Sequence, residues 1–457
     1  MFKTLANAWK IQDLRSKFLF TLVVVLVYRI GACITVPFVD AGTINYYMTG
    51  ASGSSILGFL NTLSGGALAN ASLFALGVSP YITSSIVIQL LTVAIPALER
   101  LSKEGEEGKR KITVITRYVT MAIALITAIG YYLYLRNTVG AIYTNYKGFF
   151  PAVVIIACYC AGSALVMWLA EKINDRGIGN GISMILFANI VSRGSAILTS
   201  FINIFNIDLN GTGASGVTAN GNVLRSTIYS ILVCAGMLAM IWFVIFISDS
   251  ERRIPVQYAK KVVGRKMYGG QNTNLPIKLN MTGVMPIIFA NSIVTIPATI
   301  AMFATPAEGS FWEKVVNFCS NTSWFYALMT FVLILAFAYF YVAISFNPVE
   351  VAANLQKNGG SVLGIRPGKP TAQFIQKILS KITLIGALAL SVISVLPLIA
   401  QLIMQLLGNL NYFYSSAIIS DLVFGGSSVI IVVGVILETV RDVEAQMTMR
   451  HYKGFLG

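Results

Sequence analysis

The side chains that most often carry out catalysis are scarce in this sequence and are not grouped as an active site requires. The chain has one histidine, His451, close to its C-terminus, so a histidine-based catalytic or metal site is not expected. Four of the five cysteines lie inside apolar runs, and no spacing resembles a zinc site or a disulfide framework: Cys33, Cys158, Cys160 and Cys234. We therefore expect no catalytic residue, no bound metal and no cofactor.

Two glycine-rich stretches resemble nucleotide-binding loops only superficially. In GIRPGKPT at 364–371 the glycines are one residue too close for a phosphate-binding loop, and Pro370 follows the lysine where a helix should begin. GIGNGI at 177–182 has no strand before it and opens a membrane helix, so we interpret it as a site of close packing or an ordered turn. We predict that the chain is not itself an enzyme.

Charged side chains inside the apolar runs are equally rare. No Asp or Glu falls in the middle of any run, whereas proton- and sodium-coupled transporters usually need a carboxylate there. Arg29 is the one charge well inside a run. Its side chain can reach toward the membrane surface, pair with backbone carbonyls or serve a function, and the residues alone leave these interpretations open.

Membrane helices must position these few polar groups. Hydrophobic residues make up 56% of the 457 residues, charged residues 11%, and the mean hydropathy is +0.74, which is typical of a polytopic membrane protein. Because a bilayer core of about 30 Å needs about 20 helical residues, we predict an all-α fold with ten transmembrane helices. The predicted spans are 18–37, 73–95, 114–135, 150–170, 181–203, 226–247, 281–303, 324–346, 379–406 and 416–437.

The distribution of Lys and Arg predicts the orientation of these helices. Most basic residues fall in the segments that are cytoplasmic when the N-terminus is inside, so we expect both termini in the cytoplasm. Ten spans divide into two sets of five, so the second set enters from the opposite side and any internal repeat is inverted. The predicted parts are an N-terminal half at 1–203, an outer linker at 204–225, a C-terminal half at 226–437 and a cytoplasmic tail at 438–457.

The stretch from Ser64 to Pro96 combines two unlike parts. Residues 64–72 are mainly Gly, Ala, Ser and Asn, too polar and too short to span a bilayer, and we predict a small, mobile helix there. Residues 73–95 are long enough to span but carry a proline and several polar side chains: Ser79, Pro80, Thr83, Ser84, Ser85 and Gln89. Because lipid offers such groups no partners, this helix should face protein or a water-filled space.

The first large cytoplasmic loop, at 249–280, has the pattern of a β-hairpin. Apolar residues alternate from Ile254 to Tyr258 before a turn at Gly264. This pattern places Arg265 and Lys266 at the hairpin tip.

The second large loop, at 347–378, opens with an Asn-Pro pair that predicts a helix start, and breaks at Gly359 and Gly360. Arg366 follows between helix breakers. A single basic residue in either loop is explained by ordinary orientation signals. Structured basic loops also suit RNA phosphates or an acidic soluble partner.

Distinctive motifs occur in order along nearly the whole chain: YRIG at 28–31, SGGALANASLFALGVSPYITSSIVIQLLT at 64–92, KEGEEGKRKITVITRY at 103–118, DRGIGNGIS at 175–183, NMTGVMPIIFANSI at 280–293, FNPVEVAANLQKNG at 346–359, GIRPGKPT at 364–371 and FGGSSVIIVV at 424–433. With them the chain resembles the SecY family, the channel subunits of the bacterial Sec protein translocon. The outer loop at 204–225 and the tail after Glu438 match poorly.

The resemblance implies a site with two parts. Residues 59–72 would be a plug that closes the outer funnel, with Ser64, Gly65, Gly66, Ala67 and Leu68 within it. An aliphatic ring would close the waist, formed by Val78, Ile82, Leu186, Ile288 and Ile431. Valine at 78 and leucine at 186 replace the isoleucine of many relatives and keep the aliphatic character. The second and seventh spans would form a lateral gate.

The resemblance also implies a function and partners. The chain would pass unfolded secretory polypeptides across the bacterial plasma (inner) membrane and release membrane segments sideways into lipid. Its partners would be the small subunits SecE and SecG, the motor ATPase SecA, the ribosome, signal sequences, the polypeptide substrates and membrane lipid. Arg265, Lys266 and Arg366 match the positions that engage the ribosome or the motor.

Two other classes of protein stay open on the residues alone. An inverted-repeat secondary transporter is disfavoured by the missing carboxylates and the basic hairpin, and would be supported by solute uptake in vesicles. A scaffold or insertase without a pore would show no conductance after removal of the plug. We also predict that asparagine at a ring isoleucine opens the channel, whereas the same change at a lipid-facing position such as Val24 does not.

Overall fold

The computed structural model describes residues 9–49, 61, 64–143, 148–192, 194, 223–258, 261–263, 266–268, 272–301, 315, 318, 323–407 and 425–453. This part of the chain is mostly helical, as predicted. The helices are α1 Gln12–Gly31, α2 Ala41–Thr49, α3 Ser79–Ala94, α4 Pro96–Lys103, α5 Glu106–Tyr134, α6 Phe149–Arg176, α7 Gly181–Ser192, α8 Val223–Asp249, α9 Met285–Val294, α10 Ile296–Ala301, α11 Trp324–Ser345, α12 Pro348–Lys357, α13 Lys369–Leu407 and α14 Gly425–Lys453. The strands are β1 Glu251–Tyr258, β2 Lys261–Val263, β3 Lys266–Tyr268, β4 Asn272–Lys278 and β5 Gly360–Val362.

Several of these helices are long and apolar enough to cross a membrane. Within the described residues four pass by themselves, and α3 with α4, bent by 101° at Ile95, makes a fifth if the pair is one span. Shorter apolar helices cover Gly181–Ser192, Cys234–Asp249 and Met285–Val294. Parts of the predicted spans 181–203, 281–303 and 416–437 lie outside the described residues, so the count of ten stays a prediction.

The first predicted span is correct in place and wrong at both ends. Helix α1 begins six residues before the predicted start and ends at Gly31, six residues before the predicted end. The apolar character continues past Gly31, but the backbone there pairs with another segment. Thr35 forms an antiparallel bridge with Ser72, and the Leu73 N–H donates to the Ile34 carbonyl at 2.8 Å.

Residues 64–71 and 73–78 form turns, with Ser72 in a β-bridge between them, so the short helix predicted over 64–72 is wrong. Gly65 and Gly66 take φ values of 67° and 87°, which a right-handed helix does not allow. Helix α3 therefore begins at Ser79 and not at 73. Pro80 lies in its first turn, where the missing N–H leaves no hydrogen bond broken, and not inside the span as predicted.

The helices before residue 193 and those after residue 223 form two groups that meet in the core. In the first group α1 and α7 pack on α6, which also contacts α5, and α5 packs on α3. In the second group α11 contacts α9 and α13, and α14 packs on α8 and α13. Helix pairs that join the groups include α3 with α9, α7 with α14 and, with fewer contacts, α5 with α10. The largest buried cluster contains residues of both groups.

The predicted β-hairpin is present, and the second basic loop joins it. Strands β1 and β4 pair antiparallel, while β2 and β3 pair with Val263 opposite Lys266. Ile254 and Val256 are buried, as their alternation indicates. Strand β5 from the second loop adds to the other edge of β1, a pairing not predicted from the sequence. The two basic loops therefore lie on the same face of the molecule.

In the second half one predicted helix start is confirmed and two other boundaries differ. Asn347 caps α12 by accepting a hydrogen bond from the Val349 N–H, as the Asn-Pro pair predicts, and the helix ends before Gly359. Helix α13 begins at Lys369, within the loop predicted to reach 378. Helix α14 continues through the predicted boundary at 437 to Lys453, so most of the predicted tail is helical.

Candidate functional site

The structure brings together the five aliphatic residues of the predicted ring. Val78 immediately precedes α3 and Ile82 lies in its first turns, while the other three lie on α7, α9 and α14: Leu186, Ile288 and Ile431. Their exposed fractions are 2%, 4%, 2%, 4% and 2% in chain order, and all five belong to one apolar cluster. The helices α3, α7, α9 and α14 are among those that join the two groups. The role of these residues as a seal stays a prediction.

A cavity of about 300 Å³ borders the ring. All five ring residues line it, together with Ser64 and Leu68 of the predicted plug. Part of the wall comes from hydroxylated residues of α3 and α9, in agreement with the prediction that the second span faces protein or water. Ser79 and Thr83 line the cavity, while Ser84 is buried against the Thr120 hydroxyl at 2.5 Å.

Several hydroxyl groups of the cavity wall donate to carbonyls of their own helices. The Thr83 hydroxyl donates to the Ser79 carbonyl at 3.0 Å, and the Ser292 hydroxyl donates to the Ile288 carbonyl at 2.8 Å. Among the described side chains of the wall, Asn291 Nδ2 has no hydrogen-bond partner. The cavity thus offers mainly apolar contact and few fixed polar groups, which suits a site that selects little by sequence.

Two glycines let the elements of the ring approach closely. A Cβ on Gly162 of α6 would lie 1.9 Å from the carbonyl oxygen of Leu73, in the segment that leads to the first ring residue. A Cβ on Gly434 of α14 would lie 2.2 Å from the Val284 side chain, directly before α9. Both distances are shorter than any ordinary contact, so a side chain at either place would push a ring element outward.

The turn at 177–182 positions Leu186 from the other side. Gly181 donates its N–H to Asn174 Oδ1 at 2.7 Å, and a Cβ there would meet the Ala170 carbonyl oxygen at 2.0 Å. The Ile178 N–H donates to the Thr21 hydroxyl at 3.1 Å. These contacts agree with an ordered, closely packed turn.

The predicted plug residues form a compact segment through bonds among themselves. The Leu68 N–H donates to Ser64 Oγ at 3.2 Å, and the Ser72 hydroxyl donates to the Ala67 carbonyl at 3.0 Å. Ser64, Ala67 and Leu68 are almost fully buried. The predicted plug residues 59, 60, 62 and 63 lie outside the described residues.

Two side chains from the surrounding helices hold this segment, and residue types alone did not single out either contact. Tyr131 of α5 donates its hydroxyl to the Leu68 carbonyl at 3.2 Å. Arg29 donates to the Gly65 carbonyl at 3.4 Å. Arg29 lies in the last turn of α1 and not well inside a span, because the helix ends at Gly31. The one sequence feature that could have pointed to this contact is the presence of an arginine within an apolar run.

The predicted docking residues are described only in part. Arg265 lies outside the described residues, and Lys266 begins β3. Arg366 is exposed, in a turn whose glycines, Gly364 and Gly368, have φ values of 80° and 100°. The Thr371 hydroxyl donates to the Arg366 carbonyl at 2.8 Å, so the turn is ordered while the guanidinium extends from an exposed position.

Arg441 joins the helix that carries Ile431 to the end of α8. It donates to the Ser248 carbonyl of α8 and lies 3.5 Å from Asp249 Oδ1, shortly before β1 begins. Burial, with repulsion from Arg441, lowers the pKa of Lys278 at the end of β4 below its ordinary value. The positive charge of Arg441 therefore lies near the start of the sheet.

The described residues contain no group of three or more His, Cys, Asp or Glu side chains placed to hold a metal ion. The cavity is lined mainly by apolar side chains and hydroxyls, with the amide of Asn291 among them.

Comparison with known proteins agrees with this geometry. A family model described as SecY matches residues 72–440. A protein translocase subunit SecY from Streptomyces galbus is 42% identical over 466 residues, covering 100% of both chains. The chain belongs to the SecY family. Its members among these relatives are protein translocase subunits, so the secondary-transporter alternative is not favoured.

Solved structures show the same fold. A structure titled as that of a protein conducting channel has a TM-score of 0.62 at 16% identity and covers 95% of this chain and 92% of that one. Sec61 in a canine ribosome-channel complex from the endoplasmic reticulum has a TM-score of 0.58 at 16% identity with the same coverage. The fold is thus shared with these proteins, and several of its helices are long and apolar enough to cross a membrane.

Proposed function

We propose that the chain forms the pore through which unfolded secretory polypeptides cross the bacterial plasma membrane, and that the aliphatic ring closes this pore. The main support is that the five ring side chains, which come from four separate segments, are buried together and border one cavity with Ser64 and Leu68. Membership of the SecY family supports the same function.

An aliphatic ring suits a channel that must carry many different sequences. It demands no particular hydrogen bond, so it fits around varied polypeptides. When no polypeptide occupies it, a narrow apolar constriction opposes ions because water leaves it readily. Residues 59–72 would act as the plug beside the ring, since the described part of this segment is compact and buried next to the cavity.

Helices α3 and α9 would form a lateral gate. They contact each other across the two groups of helices, and residues from both line the cavity. The hydroxyls of Thr83, Ser292 and Thr295 bond to carbonyls of their own helices, so separating the pair would not break these hydrogen bonds. An apolar signal sequence or membrane segment would leave between them into lipid.

Arg265, Lys266 and Arg366 would bind a soluble partner that drives translocation, either the motor ATPase SecA or the ribosome. Support comes from the sheet that unites both basic loops and from the exposure of Arg366. The structural neighbour from canine endoplasmic reticulum is described in a ribosome-channel complex. ATP hydrolysis would belong to the motor, so this chain would have no catalytic residue of its own.

The topology completes the proposal. We place both termini and both basic loops in the cytoplasm, with halves at 1–203 and 226–437 related by inversion, a linker at 204–225 and a tail at 438–457. Basic residues concentrate in these cytoplasmic segments, and the sheet requires both loops on one face. Two small subunits, SecE and SecG, would complete the complex.

A photo-crosslinking amino acid at single positions tests the path of the polypeptide. In the whole complex, with a secretory polypeptide arrested in transit, a probe at position 288 or 431 should crosslink to that polypeptide. Ile436 is the matched control, because it lies on the same helix as Ile431 and is 42% exposed on the outside. Equal crosslinking from 436 and 431, or none from 288, would show that the pore lies elsewhere.

A further inference from the structure

Arg29 contacts the proposed plug, and neither the ring nor the lateral gate accounts for this contact. Its Nη1 atom donates to the Gly65 carbonyl at 3.4 Å from the last turn of α1, where the side chain is half-buried. No ion pair found among the described residues involves Arg29. A cation at the edge of an apolar core without a carboxylate partner is costly, so a specific contact should offset that cost.

The Gly65 carbonyl accepts this bond because residues 64–72 are not helical. In an α-helix it would accept from the N–H of Ala69. Here the Ala69 N–H donates instead to Asn61 Oδ1 at 3.0 Å. Among the described groups the guanidinium takes the place of that donor, and a charged donor makes a stronger bond than a neutral one.

A second side chain, Tyr131, also holds residues 64–68, whereas the end of the segment at 71–73 is held by backbone hydrogen bonds. Tyr131, which is 1% exposed, donates to the Leu68 carbonyl at 3.2 Å. Residues 71–73 pair through their backbone with residues 34–36, with hydrogen bonds of 3.0 and 2.8 Å. Residues 65–68 are thus held by individual side chains, and residues 71–73 by backbone pairing.

We propose that Arg29 is a positioning residue that latches residues 64–68 in the closed channel, with Tyr131 as a second latch and the paired segments 34–36 and 71–73 as the hinge. This inference rests on the closing role proposed above for the segment. Arg29 and Tyr131 both donate to backbone carbonyl oxygens, so these two hydrogen bonds do not depend on which side chains residues 64–68 carry. An entering polypeptide breaks two side-chain bonds and leaves the hinge paired.

The first test measures the resting ion leak of the whole channel complex in liposomes. Arg29→Met should raise the leak about tenfold, the size expected for one lost hydrogen bond to a charged donor. Arg29→Lys keeps a charge and a donor and should leak less than Arg29→Met. An unchanged leak in Arg29→Met would overturn the latch.

Deletion of residues 64–68 separates this inference from the proposed function. The deletion should raise the leak by itself, and if it does not, the segment is not the closing element and the proposed function fails at this point. In the deletion background Arg29→Met should add nothing. A further rise there would mean that Arg29 supports another part of the channel, and the latch would be wrong.

Two neighbouring glycines provide a test that leaves Arg29 in place. Gly65 and Gly66 both have positive φ, 67° and 87°, so alanine strains the backbone at either position. A Cβ at Gly65 would lie 2.8 Å from Arg29 Nη1 and 2.8 Å from Asn189 Oδ1, whereas nothing lies within 4 Å at Gly66. Gly65→Ala should therefore leak about fivefold more than Gly66→Ala. Equal leaks in folded complexes would contradict the latch.

Discussion

Replacing Ile288 or Ile431 by asparagine should open the resting channel. These side chains are 4% and 2% exposed, so nearly all of their apolar surface lies in the contacts of the waist. Burying an isoleucine is worth about 1.5 to 3 kcal/mol. If half of that energy belongs to the closed state alone, its loss raises the open population roughly fourfold to tenfold, since about 1.4 kcal/mol is a factor of ten.

The assay measures the ion leak of reconstituted complexes and the export of a polypeptide with a defective signal sequence. Both should rise in the two ring variants. Ile436→Asn is the control, because Ile436 is exposed on the same helix as Ile431. Val24, expected from the sequence to face lipid, is 7% exposed and belongs to the central cluster, so that prediction is wrong. Ring variants that behave like Ile436→Asn would refute the proposed seal.

Three further predictions concern other parts of the molecule. Arg366→Glu should impair motor-driven secretion by a folded, inserted channel, because it places a negative charge at an exposed basic position. Close charge pairs across an interface couple by about 1.5 to 7 kcal/mol. A normal ATP-dependent secretion rate in vesicles would refute the docking role. Gly162→Ala should lower the stability of the purified complex by about 1 to 3 kcal/mol, because the added Cβ would lie 1.9 Å from the Leu73 carbonyl oxygen. Gly236→Ala is the control, because nothing lies within 4 Å of a Cβ there. Equal melting temperatures for the two variants would contradict the close contact at Gly162. The Thr43 hydroxyl lowers the pKa of Asp40, so this contact stabilises α2 above pH 3.8 and is lost as pH falls through the lowered pKa. Asp40→Asn should remove that dependence in hydrogen exchange of residues 41–49, and an unchanged pH profile would refute it.

The cytoplasmic hairpin shows how much local pattern can predict. Alternation from Ile254 to Tyr258 and a turn at Gly264 correctly indicated two antiparallel strands, because one face of β1 is buried. Strand β5 was not predicted. It has three residues, too few to show a period, and its partner lies about a hundred residues earlier in the chain.

The apolar helices that the structure describes overlap the spans predicted from hydropathy, but several of their ends differ from the prediction. Hydropathy reports which residues avoid water, not where the backbone leaves a helix. Helix α1 ends at Gly31 because the residues that follow pair with 71–73. Helix α3 starts later than predicted because the chain before it forms turns, in which Gly65, Gly66 and Gly77 have positive φ. Both ends depend on the segment 64–78, which pairs with residues distant in the sequence.

The candidate site was predictable only through resemblance to a known family. An aliphatic residue such as Leu186 is ordinary in a membrane helix, and nothing in its own neighbourhood distinguishes a pore from a packed core. The structure adds what spacing cannot show, namely that these residues converge from four helices. The anomaly of Arg29 was visible in the sequence, but its partner, a backbone carbonyl, has no signature there.

The most direct measurement is the structure of the whole complex with a secretory polypeptide arrested in transit. We expect residues 64–68 displaced from Arg29 and an extended polypeptide surrounded by the five ring side chains: Val78, Ile82, Leu186, Ile288 and Ile431. A polypeptide that crosses elsewhere while these five side chains stay packed together would contradict it.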